Sequence, residues 1–267
     1  MTVDAPKLKN AAPMALHFEG VDKWFPSVEG ASVQVLKRVN LAAEAGQFWV
    51  FRGPNGCGKT TLMNLAAGLD EPSNGIVRLA EERVDQTVVG YLFQDYAGSL
   101  LPWLTLGENA TLPLKLKGIS RAMRRESLVA ISEETGLTGL PFDRYPFQCS
   151  GGQQQKTCFL RSLLASERFL ILDEPFASLD RESCEKVTDM LQRIRLAGSH
   201  LVLLVIHDLD DAIFLADRLV CLDGSPATIR DIVPVDLPWP RKAEVRVRSE
   251  FLDVRRRVLD SSGELHR

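Results

Sequence analysis

The nine residues Gly53-Pro-Asn-Gly-Cys-Gly-Lys-Thr-Thr61 constrain this chain more than any other stretch. They complete the pattern G-x-x-x-x-G-K-[ST], a loop whose chemistry requires a strand before it and a helix after it. Gln47–Arg52 (QFWVFR) reads as that strand and Thr60–Ala67 as that helix. Gly53, Gly56 and Gly58 let the backbone turn with its N–H groups facing inward, while Pro54, Asn55 and Cys57 fill the variable places. The result is an anion cradle, reinforced by the positive end of the following helix. Lys59 can reach the β- and γ-phosphates of a nucleotide as a point charge, the Thr60 hydroxyl can ligate Mg²⁺, and Thr61 completes the motif. An ordinary glycine turn is the alternative reading.

Further apolar runs without polar alternation recur at Val88–Phe93, Phe169–Leu172, Leu201–Ile206 and Arg218–Leu222. Such runs predict strands buried on both faces, as in a parallel sheet covered by helices. One of them continues into Phe169-Leu-Ile-Leu-Asp-Glu-Pro175, where an apolar strand ends in two carboxylates. At the C-terminal edge of a parallel sheet, Asp173 falls beside the phosphate loop and can hold Mg²⁺ directly or through water. Glu174, one residue on, can orient and polarise an attacking water. Without the phosphate loop, the same residues would read as a strand-end turn with solvated acids.

Between these motifs stands Cys149-Ser-Gly-Gly-Gln153. Ser150, Gly151, Gly152 and Gln153 can open a helix with a hydroxyl and N–H groups that suit an anion. Alone this run is also compatible with a flexible loop. Residues 1–14 read as a flexible tail, and Leu16–Leu41 as antiparallel strands broken by Gly20, Pro26 and Gly30. The stretch from about 95 to 165 reads as a helical insertion, and a terminal helix is expected from Ser249 to Leu259.

Several functions are disfavoured by composition. A net charge of −3 argues against a general nucleic-acid binder. Five cysteines without CxxC spacing and four scattered histidines suggest neither a zinc site nor a disulfide framework, which fits a cytosolic location. The longest clearly aliphatic run, Leu201–Ile206, is far short of a membrane span.

GPNGCGKTT, Gln94, CSGGQQQ, LILDEP, Ser178-Leu-Asp180 and His207 stand in the order and spacing of an ABC-transporter nucleotide-binding domain, which residues 16–225 resemble. The resemblance implies an α/β fold with a P-loop NTPase (RecA-like) core, a β-subdomain and an inserted helical subdomain. The corresponding division is a domain over 15–225 with a C-terminal extension over 226–267. By the same likeness Phe25 stacks on adenine, with Trp24 as the neighbouring alternative, although an aromatic beside a proline is also ordinary packing. Gln94 becomes a hinge glutamine sensing Mg²⁺ and the γ-phosphate. Ser150–Gln153 bind the γ-phosphate held by an opposite subunit, Ser178–Asp180 communicate across the dimer, and His207 contacts the γ-phosphate and water. The catalytic set is then Glu174, His207, Lys59 and Gln94; the metal set is Thr60, Gln94 and Asp173; ATP and Mg²⁺ are the ligands.

Phe93-Gln94 followed by Leu100-Leu-Pro-Trp103 narrows the likeness to ATPases of nitrate, sulfonate and taurine importers, which PWPR at 238–241 loosely matches. That group implies a membrane permease, a second copy of the chain, an extracytoplasmic substrate-binding protein, and peripheral attachment at the cytoplasmic face of the inner (plasma) membrane. Trp103 is a candidate permease contact or, alternatively, a buried core residue. Cys149, Lys156, Ile206 and Ser225 depart from the family's usual residues without removing a catalytic group. Arg121, Arg124, Arg125 and Arg255–Arg257 read as solvated helix faces, with lipid or permease contact as the other reading. Two rival functions are a non-transport ABC-type ATPase acting on a soluble assembly and a degenerate cassette that binds ATP structurally. Length argues against the first, and intact Lys59, Asp173, Glu174 and His207 against the second.

Overall fold

A computed structural model describes residues 16–26, 30–79, 89–166, 168–177, 179–198 and 200–262. The tail expected over 1–14 and the proposed cross-dimer residue Ser178 lie outside the described residues.

In chain order the elements are β1 (Leu16–Pro26), β2 (Ser32–Ala43), β3 (Phe48–Arg52), α1 (Lys59–Ala66), β4 (Asn74–Leu79) and β5 (Val89–Leu92). Four helices follow: α2 (Leu106–Ala110), α3 (Leu112–Leu116), α4 (Arg121–Thr135) and α5 (Gly151–Ala165). The chain then returns through β6 (Phe169–Asp173), α6 (Arg181–Ala197), β7 (Leu201–Val205), α7 (Leu209–Leu215), β8 (Arg218–Asp223), β9 (Thr228–Pro234) and α8 (Ser249–Ser262).

Six strands form the main sheet in the order β5-β6-β7-β3-β8-β9, parallel except for the β8–β9 pair. The strands β3, β5, β6 and β7 are apolar at nearly every position because both their faces are covered. Successive residues alternate between two cores. Phe48, Val50, Leu170, Leu172, Val202 and Leu204 meet α5, α6, α7 and α8, whereas Trp49, Phe51, Ile171, Leu203 and Val205 meet α1 and the antiparallel sheet β2-β1-β4.

The helical insertion is tied to the sheet by one close approach. A Cβ built on Gly90 would collide with the Ser162 carbonyl oxygen, so β5 and α5 touch backbone to backbone. Gly90→Ala is therefore expected to cost about 1–3 kcal/mol through overpacking, read as a lower urea midpoint at unchanged slope.

Over the described residues beyond 225 the chain stays packed on the body. β9 pairs with β8, and Phe251, Val254 and Val258 of α8 are buried in the main core. The β8–β9 turn also docks the antiparallel sheet, with Lys37 N donating to Ala227 O and Ala227 N to Val35 O, both at 2.9 Å.

Candidate functional site

Sheet register gathers the chemistry at one edge. Phe51 pairs with Val205 and Val205 with Asp173, while Leu92 pairs with Leu172. The phosphate loop begins two residues after Phe51, His207 lies two after Val205, Glu174 follows Asp173, and Gln94 lies two after Leu92. Four adjacent parallel strands thus deliver these groups to their shared C-terminal edge, where open α/β sheets bind ligands.

The loop between β3 and α1 closes tightly. Gly58 caps α1 at φ 106°, and a Cβ there would meet Val35 Cγ1 at 2.8 Å, so glycine is required both by conformation and by space. Cys57 N donates to Pro54 O at 3.3 Å, shaping the turn, and the Cys57 side chain is buried. Its thiol pKa is raised by burial, against the lowering influence of Lys59. Pro54 carries no N–H, so its contribution to the cradle is conformational. Lys59 is only 7% exposed, and its Nζ donates to Gly53 O and Pro54 O, each at 2.9 Å. These bonds use two of the three ammonium hydrogens.

Thr60, the next residue, donates from Oγ1 to Asp173 Oδ2 at 2.9 Å. Asp173 is 2% exposed, and burial pushes its carboxyl above the usual range. The Thr60 hydrogen bond opposes that push, Glu174 adds to it, and the charges of Lys59 and His207 oppose it. A desolvated carboxylate beside a hydroxyl is a hard-oxygen donor pair of the kind Mg²⁺ takes, so these residues fit that ion.

Glu174 adopts φ 55°, a conformation uncommon for a residue with a side chain, and its N–H is tied to Val205 O at 3.1 Å. Its Oε1 accepts from Gln94 Nε2 at 3.0 Å and lies 2.7 Å from His207 Nε2. The His207 carbonyl in turn accepts from Arg52 at 2.9 Å, which links the end of β3 to the end of β7. Thr60 with Asp173, and Gln94 and His207 with Glu174, are thus hydrogen-bonded groups at one edge, and the charges of Lys59 and His207 act on Asp173 there.

Two expected groups stand apart from it. Ser150 caps α5: its Oγ accepts from Gln153 N at 3.3 Å and Gln153 Oε1 accepts from Ser150 N at 3.0 Å. Gly151, exposed, and Gly152, half-buried, start that helix, and a Cβ built on Gly151 would stand 3.2 Å from the Tyr96 hydroxyl. Lys156, where arginine is usual, pairs with Asp180 at 3.2 Å. Asp180 caps α6, and its carboxyl is lowered to about 2 by hydrogen bonds from Ser183 N and Oγ and from Lys156. Phe25 lies on β1, 37% exposed, with Lys23 Nζ 4.8 Å from its ring centre. Lys23 is anchored by Asp70 at 2.6 Å and by Glu71 O at 2.9 Å, so one face of the Phe25 ring is occupied by a fixed cation.

Trp103 is 68% exposed, which overturns the alternative that it is a core residue. Arg121, Arg125 and Arg255–Arg257 are exposed, as solvated faces require, while Arg124 is partly buried. Sequence reasoning missed Arg52, Lys23 and Tyr96. An arginine ending an otherwise apolar strand was the available signal for Arg52; the other two had none, because their partners are distant in sequence.

A family model described as ABC transporter matches residues 36–177. The chain is 36% identical over 259 residues to an uncharacterized ABC transporter ATP-binding protein of Methanocaldococcus jannaschii, covering 96% of this chain and 94% of that protein. It is 34% identical over 248 residues to an aliphatic sulfonates import ATP-binding protein of Bacillus cereus, covering 92% and 95%. Among solved structures it resembles a dimeric ATP-binding cassette in a post-hydrolysis state bound to ADP and Pi, with TM-score 0.75, 26% identity, and coverage of 84% of this chain and 100% of that one.

Proposed function

The chain belongs to the ABC transporter family, as an ATP-binding, ATP-hydrolysing member, and from that premise we propose that two copies clasp two ATP molecules to drive import of a small anion through a separate permease. The observation that carries this reading is the convergence of Gln94 and His207 on Glu174 Oε1 beside the Thr60–Asp173 pair. A structural nucleotide module needs the cradle but has no use for an oriented carboxylate.

In this reading the β- and γ-phosphates lie in the Gly53–Thr61 loop, and Lys59 turns its ammonium from the loop carbonyls toward them. Phe25 offers adenine the ring face that Lys23 leaves open. Thr60, Asp173 and Gln94 would hold Mg²⁺, which supplies charge neutralisation at the phosphates. With Oε1 of Glu174 fixed by two donors, Oε2 is the oxygen we assign to the attacking water, and His207 meets the charge that develops on the γ-phosphate.

Ser150–Gln153 of the opposite copy close each site, and the γ-phosphate is the ligand both copies share. Its loss on hydrolysis removes the differential affinity that favours the closed state. The sulfonate-importing relative and the Leu100–Trp103 run support the anion class. No helix among the described residues is long and apolar enough to cross a membrane. In this reading the transport path belongs to the membrane-spanning permease, and this chain attaches peripherally at the cytoplasmic face of the inner (plasma) membrane. An extracytoplasmic binding protein would present the cargo to that permease.

The test is recovery of the tagged chain from detergent-solubilised membranes. A polytopic membrane protein should co-purify and support ATP hydrolysis; ribosomes or nucleic acid in its place would sink the transport reading. Trp103, the exposed aromatic in this run, should act as an anchor. Trp103→Glu is expected to weaken permease association at least about 30-fold, the scale of an aromatic hot spot, while ATP affinity of the isolated chain stays unchanged.

A further inference from the structure

Pro238-Trp-Pro-Arg241 lies far along the chain from every site residue, yet Arg241 is among its most buried charges, 2% exposed. One terminal nitrogen of its guanidinium donates to the carbonyls of Ile213 (2.9 Å), Phe214 (3.1 Å) and Ala216 (2.8 Å). The other donates to Val235 O (3.3 Å) and Leu237 O (3.1 Å). Its backbone N–H donates to Gln192 Oε1 on α6 at 2.6 Å. The side chain lies over Trp239, 4.0 Å from the ring centre. Trp239 Nε1 donates to Asp217 Oδ1 at 3.0 Å, and Arg195 of α6 holds the same carboxylate at 2.6 and 3.0 Å.

The three carbonyls taken by one nitrogen belong to the end of α7, where helical carbonyls lack intrahelical partners. A cation there also complements the helix dipole. The other end of α7 is the catalytic one. Asp208, immediately after His207, caps it by accepting from Asp211 N at 2.8 Å. Seven residues make a helix only about 10 Å long, so fixing its end constrains its start. The C-terminal segment grips that start as well, through Arg246–Asp211 at 2.6 Å and Arg255–Asp210 at 3.0 Å. Gln192 and Arg195 extend the grip to α6, the helix that opens at Asp180.

Burial lowers the Arg241 guanidinium to about 10, with Asp217 opposing and Arg195 adding to that shift. It therefore stays charged at neutral pH. Its five side-chain bonds all go to carbonyls, so the charge is spent on holding backbone rather than on pairing an acid.

We propose that Arg241 is a positioning residue for ATP hydrolysis: by locking the end of α7 against α6 and the C-terminal segment, it holds His207 at Glu174. This rests on the role proposed above for His207 and Glu174.

The test uses the full chain with its permease and separates kcat from KM. Arg241→Met keeps the side chain's bulk without its donors. It should lower kcat between about 10- and 100-fold, the scale of an ångström-size misplacement, while KM for ATP moves less than about twofold, because the cradle and Phe25 are untouched. In a His207→Ala background the same substitution should lower kcat little further, since the group it positions is gone. A role confined to stability would lower the melting temperature and leave kcat per folded molecule unchanged, and that result overturns the proposal. So does a full additive loss in the His207→Ala background. If His207→Ala itself leaves hydrolysis unchanged, the underlying reading fails instead. Should Arg241→Met not fold, Arg241→Lys is read by the same two constants: it keeps the charge and loses the planar fork, so kcat should still fall, and wild-type kcat overturns the proposal.

Discussion

Glu174→Gln should hydrolyse ATP about 10²–10⁴-fold more slowly than the natural chain while binding it as well, the range by which a positioned general base speeds a reaction. The substitution is conservative at the contacts that matter for geometry. The glutamine Oε1 can still accept from Gln94 Nε2 and from His207 Nε2, which now reach the carboxylate at 3.0 and 2.7 Å. Only the charge and the proton-accepting capacity disappear. Because the shared γ-phosphate then persists, the variant should elute as a dimer from a sizing column equilibrated with Mg·ATP and as a monomer with Mg·ADP. Turnover within a fewfold of wild type would remove Glu174 from the role of base. A monomer with ATP would instead remove the two-copy sandwich and leave the chemistry standing.

The edge that carries the candidate site was legible because parallel strands covered on both faces cannot alternate, so β3, β5, β6 and β7 announce themselves as unbroken apolar runs. Once they are strands, the loop after Phe51 and the acids after Leu172 must share an edge. What stayed hidden depends on pairings across long stretches of chain. Nothing in the sequence says that Lys23 meets Asp70 beneath Phe25, or that Asp217 binds both Arg195 and Trp239. Exposure was equally silent: Trp103 fits a core as well as a surface until its neighbours are known. The chain after 225 reads as a C-terminal extension ending in a helix from Ser249, and α8 does begin at Ser249, but how that extension packs was not legible. Its apolar residues are few but well spaced. Val233 and Val235, then Phe251, Val254 and Val258, fall on single faces and bury against the sheet and α7.

Lys59→Met tests the other half of the site. The methionine keeps an apolar stem of similar length but loses the ammonium that now donates to Gly53 O and Pro54 O. A hydrogen bond to a charged partner contributes about 1.5–3 kcal/mol, so ATP affinity should fall about 10- to 100-fold. Thermal protection reads this without requiring turnover. At 100 times its dissociation constant, Mg·ATP stabilises the natural chain by about 2.7 kcal/mol; a 100-fold weaker variant at the same concentration gains only about 0.4 kcal/mol. For a chain of this size that separates a rise of roughly 5–10 °C from about 1 °C. Equal protection of both proteins would show that Lys59 is not a phosphate ligand. The two substitutions therefore divide the site between its functions. Glu174→Gln should keep the thermal rise and lose turnover, whereas Lys59→Met should lose both, because the acid acts only on ATP that the loop already holds.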